Sequence, residues 1–176
     1  MAINVQRDAD RRREILDAAL ACFLQFGYTK TSLDDIAQRA GISRPLLYRK
    51  FKNKEDIFGA CYDDVFDSLG PRVQKILDGR GSKKDKLLQF CEVSCIETWA
   101  IMFKAPAVKE FYDACLNVIP EIHEKHEQRF ADVCRQLIGD KETTEIFCLA
   151  LDGMFVDLPN VATLRKRIHL LVDRFV

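Results

Sequence analysis

Residues 31–51 read TSLDDIAQRAGISRPLLYRKF, two short amphipathic stretches separated by an Ala-Gly-Ile break. In the first, Leu33, Ile36, Ala37 and Ala40 fall at i, i+3, i+4 and i+7, so they share one face of a helix and leave Asp34, Asp35, Gln38 and Arg39 to water. Ser32 stands where a hydroxyl caps such a helix, and Asp35 stands where a capping-box acid reaches back; Thr31 is the alternative cap. Gly41 supplies a flexible break. Ser43 is a second N-cap, and Pro45 falls in a first turn where its missing amide costs no hydrogen bond. In the second helix Leu47 and Phe51 point inward, while Pro45, Leu46, Tyr48 and Arg49 occupy the opposite arc.

Two amphipathic helices with a glycine turn and scattered cations describe many small α-bundles. They also describe a helix-turn-helix, which places the N-terminal part of its second helix in a DNA major groove. On that reading Arg44 and Arg49 donate to guanine edges and Leu46 meets a thymine methyl. Tyr48, Lys50 and Lys54 suit phosphate oxygens, which fix position without reading sequence. Upstream, Ile15, Ala18, Ala19, Cys22, Phe23 and Phe26 trace a helical stripe, and Gly27 ends it where a left-handed residue is wanted. The leading Gln6-Arg7 and Arg11-Arg12-Arg13 suit either a solvated charged helix end or an arm into the minor groove, the former being the ordinary outcome.

From Ile15 to Phe58 the chain resembles the tetracycline-repressor (TetR) family of bacterial transcription regulators. The resemblance rests on Phe23, Gly27, Thr31, Ile36-Ala37, Gly41, Ser43, Leu47-Tyr48, Phe51, Lys54 and Glu55, in the family's order. Lys50 departs from the family's usual histidine or tyrosine. The resemblance implies phosphate contacts from Thr31 or Ser32, Tyr48 and Lys54, and sequence reading by Arg44, Pro45, Leu46 and Arg49. It covers about the first third of the chain.

Charge is uneven although the chain is formally neutral. Residues 1–54 hold 11 Lys and Arg against 6 Asp and Glu, a net +5, and the remainder holds 16 against 21, a net −5. A basic head on an acidic body is the asymmetry expected when one end meets a polyanion. The 176 residues are 48% hydrophobic, enough for a packed core. With no long apolar run, signal segment or lipidation motif, a cytoplasmic protein with no membrane partner is expected.

Seven cysteines without a signal segment suggest reduced thiols. Cys91 and Cys95, at i and i+4, have the spacing of half a metal or redox site, yet small-hydrophobe packing is the default. His123 and His126 in HEKH lack the HExxH spacing of a zinc-hydrolase helix. No phosphate loop, nucleophile elbow or zinc motif is present, so neither a catalytic residue, a metal nor a cofactor is expected; a ligand-binding module or an enzyme using the helical cavity is the remote alternative.

The rest reads as helices with short breaks, giving an all-α fold. Residues 1–52 are expected to form the three-helix DNA-binding head, and 53–176 a helical effector-binding and dimerisation body. A helix from Asn53 runs to about Leu77, punctured at Gly70-Pro71. Another carries Leu87, Cys91, Cys95, Thr98 and Met102, further segments start at Ala105-Pro106 and Ile119-Pro120, and the last two occupy roughly 141–157 and 160–175. Trp99, Met102, Phe103, Phe111, Tyr112, Cys115 and Phe130 concentrate aromatic and soft side chains. Such a stripe is ordinarily core; the resemblance implies a small-molecule cavity there, with Tyr112 or Glu97 as a polar handle.

The last two helices carry more apolar surface than one small body needs. The resemblance implies that they pair in a homodimer, through Phe147, Met154, Leu164, Ile168, Leu171 and Phe175, matching a two-fold operator. The expected protein is therefore a regulator, repressing from a palindromic double-stranded operator until an apolar or amphipathic effector binds. Activation or effector-strengthened binding is the alternative.

Overall fold

A computed structural model describes the backbone from Ala2 to Val176 and the side chains from Arg7 onward. Among these residues the ordered structure is all helix: eleven α-helices and one π-helical turn. They form two compact units, one holding the chain up to Val65 together with Ala105–His123, the other Phe66–Lys104 with Glu124–Val176.

The first unit opens with Ala2–Phe26 (α1), Leu33–Arg39 (α2), Arg44–Lys50 (α3) and Lys54–Asp67 (α4), the last reaching its boundary. The expected stripe of α1 is buried at Ile15, Ala18, Ala19, Cys22 and Phe23, but Phe26 is exposed. Phe26 sits in the last turn and lines a surface groove with Pro106, Ala107 and Glu110. Gly27 then adopts φ +83° and its amide closes on the Phe23 carbonyl at 2.9 Å, ending α1 as anticipated. Ser32 caps α2 in a full capping box with Asp35; Thr31 does not cap. Ser43 holds the N-cap position of α3 but makes no side-chain bond there.

The boundary at 52/53 does not coincide with this compact unit, because α4 and a later segment, Val108–Val118 (α8), complete its core. Phe58 on α4 meets Phe23 edge-on at 5.0 Å, Tyr28 at 5.1 Å and Phe111 on α8 at 5.3 Å. An aromatic cluster drawn from three separated stretches thus fills the core of this unit. Cys115 is buried on the same helix as Phe111.

In the second unit, Gly70–Asp78 (α5) precedes Lys83–Cys91 (α6), a π-helical turn at Glu92–Ile96 and Glu97–Met102 (α7). Pro120–Ile138 (α9) begins in the first unit and continues here, followed by Lys141–Gly153 (α10) and Val161–Phe175 (α11). Helix α10 stops four residues short of the expected 157. The chain turns there because Arg167 donates to the Met154 carbonyl at 3.0 Å and grips both Asp157 oxygens at 2.6 and 2.7 Å. Trp99, essentially buried, donates its indole N–H to the Pro159 carbonyl at 2.7 Å and packs edge-on against Phe155.

Candidate nucleic-acid interface

The turn between α2 and α3 is built so that one arc of α3 is held and the other is free. Leu47 and Phe51 are buried, anchoring the helix against its neighbours. Arg44, Pro45, Tyr48 and Arg49 face solvent; Leu46 and Lys50 are half-buried. Gly41 at φ +63° lets the chain reverse between the helices.

The outward cations differ in what they already hold. Arg44 donates to Asp34 at 3.0 Å and to the Tyr48 hydroxyl at 3.3 Å, and its guanidinium lies 5.6 Å from the Tyr48 ring centroid. The Tyr48 hydroxyl first, then the Asp34 charge, hold its pKa above the usual arginine value. The Arg44–Asp34 pair is open to water, so replacing the carboxylate by a phosphate or a base edge costs little. Lys50 pairs with Asp8 of α1. Arg49 has no ion pair or side-chain hydrogen bond among the described residues, which leaves its five donors ready for an external acceptor.

Two expected phosphate contacts are otherwise engaged. Thr31 is 1% exposed, and its hydroxyl donates to the Gly27 carbonyl at 2.7 Å, closing the turn after α1. Lys54 donates through Nζ to the carbonyls of Tyr28, Thr29 and Thr31 at 2.8, 3.3 and 3.0 Å, beneath the Tyr28 ring. Burial pushes its pKa below the ordinary lysine value, and the Glu110 charge pulls it partly back. Thr31 and Lys54 thus hold the turn in shape. Ser32 is exposed, but its hydroxyl and amide both serve Asp35, whose pKa they lower.

The leading segment is helical from Ala2. Arg11 pairs with Glu14 at 2.9 Å, Arg12 lies 4.8 Å from the Phe51 ring centroid, and Arg13 approaches Asp17 and Asp64 at 3.5 and 3.6 Å. The side chain of Gln6 lies outside the described residues. A shallow groove of about 490 Å³, lined by Arg7, Asp8, Asp10, Arg11, Glu14, Leu46 and Lys50, runs beside α3. Sequence reasoning missed Asp8, Asp34 and Glu110. Their partners lie 42, 10 and 81 residues away, and no local pattern announces such pairings.

The residues expected to line an effector cavity are divided between the two units. Trp99, Met102 and Phe103 belong to the second, Phe111, Tyr112 and Cys115 to the first. Trp99 and Phe111 have packing roles, described above. Of the expected dimer residues, Phe147, Leu164 and Ile168 are fully buried within the single chain and Leu171 nearly so. Met154 and Phe175 are half-buried, Phe175 standing edge-on to Phe147 at 5.5 Å. Exposed apolar side chains of the second unit include Ile146 and Leu149 of α10, Leu170 of α11, and Ile101 and Val156. Among the described residues no three His, Cys, Asp or Glu side chains are placed to hold a metal ion, and no helix is long and apolar enough to cross a membrane.

Residues 15–61 match the family described as bacterial regulatory proteins, tetR family. The chain is 40% identical over 79 residues to the HTH-type transcriptional repressor KstR2 of Mycolicibacterium smegmatis, covering 45% of this chain and 38% of that protein. It is 33% identical over 78 residues to the transcriptional activator FasR of the same organism, covering 44% and 36%. Such matches span little more than a third of the relatives' length. A solved TetR-family regulator from Mesorhizobium loti shares the fold across 96% of both chains, with a TM-score of 0.67 at 20% identity. Both curated relatives are regulators of transcription.

Proposed function

We propose that the chain, whose residues 15–61 match the tetR family of bacterial regulatory proteins, is a member of that family and a sequence-specific DNA-binding regulator of transcription. The carrying observation is the outward arc of α3, where Arg44, Pro45, Tyr48 and Arg49 are exposed on a helix pinned from behind by Leu47 and Phe51. Arg49 reads base edges. Arg44 does so after exchanging Asp34, and Leu46 packs beside a thymine methyl. Tyr48, Ser32 and Lys50 contact phosphates, Lys50 once released from Asp8.

The regulator works as a homodimer on a two-fold operator, cytoplasmic with its DNA, and represses until a small apolar or amphipathic molecule binds. The apolar row of Ile146 and Leu149, with Leu170 on the adjoining helix, supports self-association, since exposed apolar clusters mark interaction surfaces. Repression follows the reading for KstR2; activation is the second reading, favoured by the similarity to FasR.

Selection of bound sequences from a random DNA pool tests the proposal, with a palindrome as the expected product. Arg49→Ala should then lose about 1–3 kcal/mol of discrimination at one base pair of each half-site. Unchanged affinities of the folded variant for operator and random DNA would remove Arg49 from the reading surface.

A further inference from the structure

Two consecutive residues at the end of α3 are met by two residues one turn apart on α1. Lys50 pairs with Asp8, and Phe51, which closes α3, has the Arg12 guanidinium 4.8 Å from its ring centroid. Asp8 and Arg12 stand at i and i+4, so they share one face of α1. The Arg12 contact fixes where that face lies, and the helix itself then presents the Asp8 carboxylate to Lys50. The Lys50 side chain is only 22% exposed, against 66% for Asp8, which screens the pair less than an ordinary surface pair. Leu46, four residues before Lys50, lines the same groove as both partners.

A carboxylate in that place runs against the charge of the head, which holds 11 Lys and Arg against 6 Asp and Glu over residues 1–54. We propose that Asp8 is an intramolecular counter-ion that competes with the DNA backbone for Lys50, and so sets how tightly the protein holds DNA of any sequence. The inference rests on the DNA-binding reading above. For Lys50 to reach a phosphate oxygen its bond to Asp8 must break, and the released carboxylate then stays beside a polyanion. Both costs arise on operator and on unrelated DNA alike, because every duplex offers the same phosphates. The exchange therefore lowers affinity uniformly and leaves discrimination between bases to Arg44, Leu46 and Arg49.

The test measures binding of the full chain to a duplex recovered from a random pool and to an unrelated duplex of equal length, by fluorescence anisotropy over a series of salt concentrations. Asp8→Asn, which keeps the side chain's size and removes its charge, should tighten both complexes by the same factor, about two- to tenfold. Lys50→Ala should weaken both. It should do so more in the Asp8→Asn background than in the parent, since in that background the ammonium has no carboxylate to give up. Asp17→Asn removes the same charge from α1 about 14 Å along the helix from Asp8, more than a Debye length at physiological salt, and should leave both affinities nearly unchanged.

Asp8→Ala, a better helix former, repeats the reading if asparagine unsettles the first turns of α1. Binding by the Asp8 variants no tighter than the parent's, a gain confined to one of the two duplexes, or a gain of equal size in the Lys50→Ala background would overturn the proposal. A parent that selects no duplex from the pool would sink the DNA-binding reading and this inference with it. A parent that binds, with Asp8 variants that bind equally, would sink the inference alone.

Discussion

Gly27 and Gly41 both have left-handed backbones, at φ +83° and +63°, yet their surroundings differ. A Cβ at Gly41 meets nothing within 4 Å, whereas one at Gly27 falls 2.1 Å from a carboxylate oxygen of Glu110, which also accepts the Thr29 amide at 2.8 Å. Gly41→Ala should cost about 1 kcal/mol, the backbone penalty alone. Gly27→Ala should cost about 2 kcal/mol, because the carboxylate must swing away and forfeit its bond to Thr29. In a Glu110→Ala background the Gly27→Ala cost should fall back to about 1 kcal/mol, measured by urea denaturation of all four proteins. Lys54 makes a related prediction. If its ammonium holds the carbonyls of Tyr28, Thr29 and Thr31, Lys54→Ala should lower stability without DNA by about 1–3 kcal/mol; a solely phosphate-binding lysine would leave stability unchanged. Burial pushes the thiols of Cys61 and Cys115 up to about 12. A raised pKa contributes stability that is complete below the ordinary thiol value and is lost as pH rises toward 12. Stability should therefore decline above about pH 9, and less steeply in Cys61→Ala,Cys115→Ala than in the parent, when denaturation midpoints are compared.

At the scale of elements, short-range signals were reliable and side-facing assignments were less so. The Ser32/Asp35 capping box of α2 was legible because a cap and its partner lie within one turn, and Ser82/Asp85 repeats the device on α6. The face of α11 is a harder case. Its stripe of Leu164, Ile168, Leu171 and Val172 was visible, but periodicity reports only that a face is covered, not by what. The structure covers it from within the chain. Ile168→Ala should accordingly cost about 2–5 kcal/mol through the cavity it leaves, whatever the protein concentration. A midpoint loss that disappears at high concentration would return the residue to an intersubunit surface.

At the scale of the molecule, assembly separates from folding. Leu149 is 73% exposed, so Leu149→Asp should leave the single chain folded while shifting the sedimentation coefficient from dimer to monomer. Ile168→Asp, which buries an unpaired carboxylate, should unfold the chain instead. Equal sedimentation of Leu149→Asp and the parent as dimers would move the association surface elsewhere. The basic head and acidic body were countable from composition, and so was the presence of cations on α3. Which of them remain free was not.

Helix positions, the turn at Gly41, the left-handed end at Gly27 and the outward arc of α3 were determined by residues within a few positions of one another, where backbone geometry and capping chemistry act. Tertiary structure alone decided that Thr31 and Lys54 brace a turn, that Asp34 and Asp8 hold Arg44 and Lys50, and that Phe111 completes the core around Phe58. Each of these depends on groups far apart in sequence meeting in space, and hydrogen bonds, ion pairs and ring contacts act only over a few ångströms. A pattern along the chain shows which groups seek partners, while the packing of helices selects the partners they find.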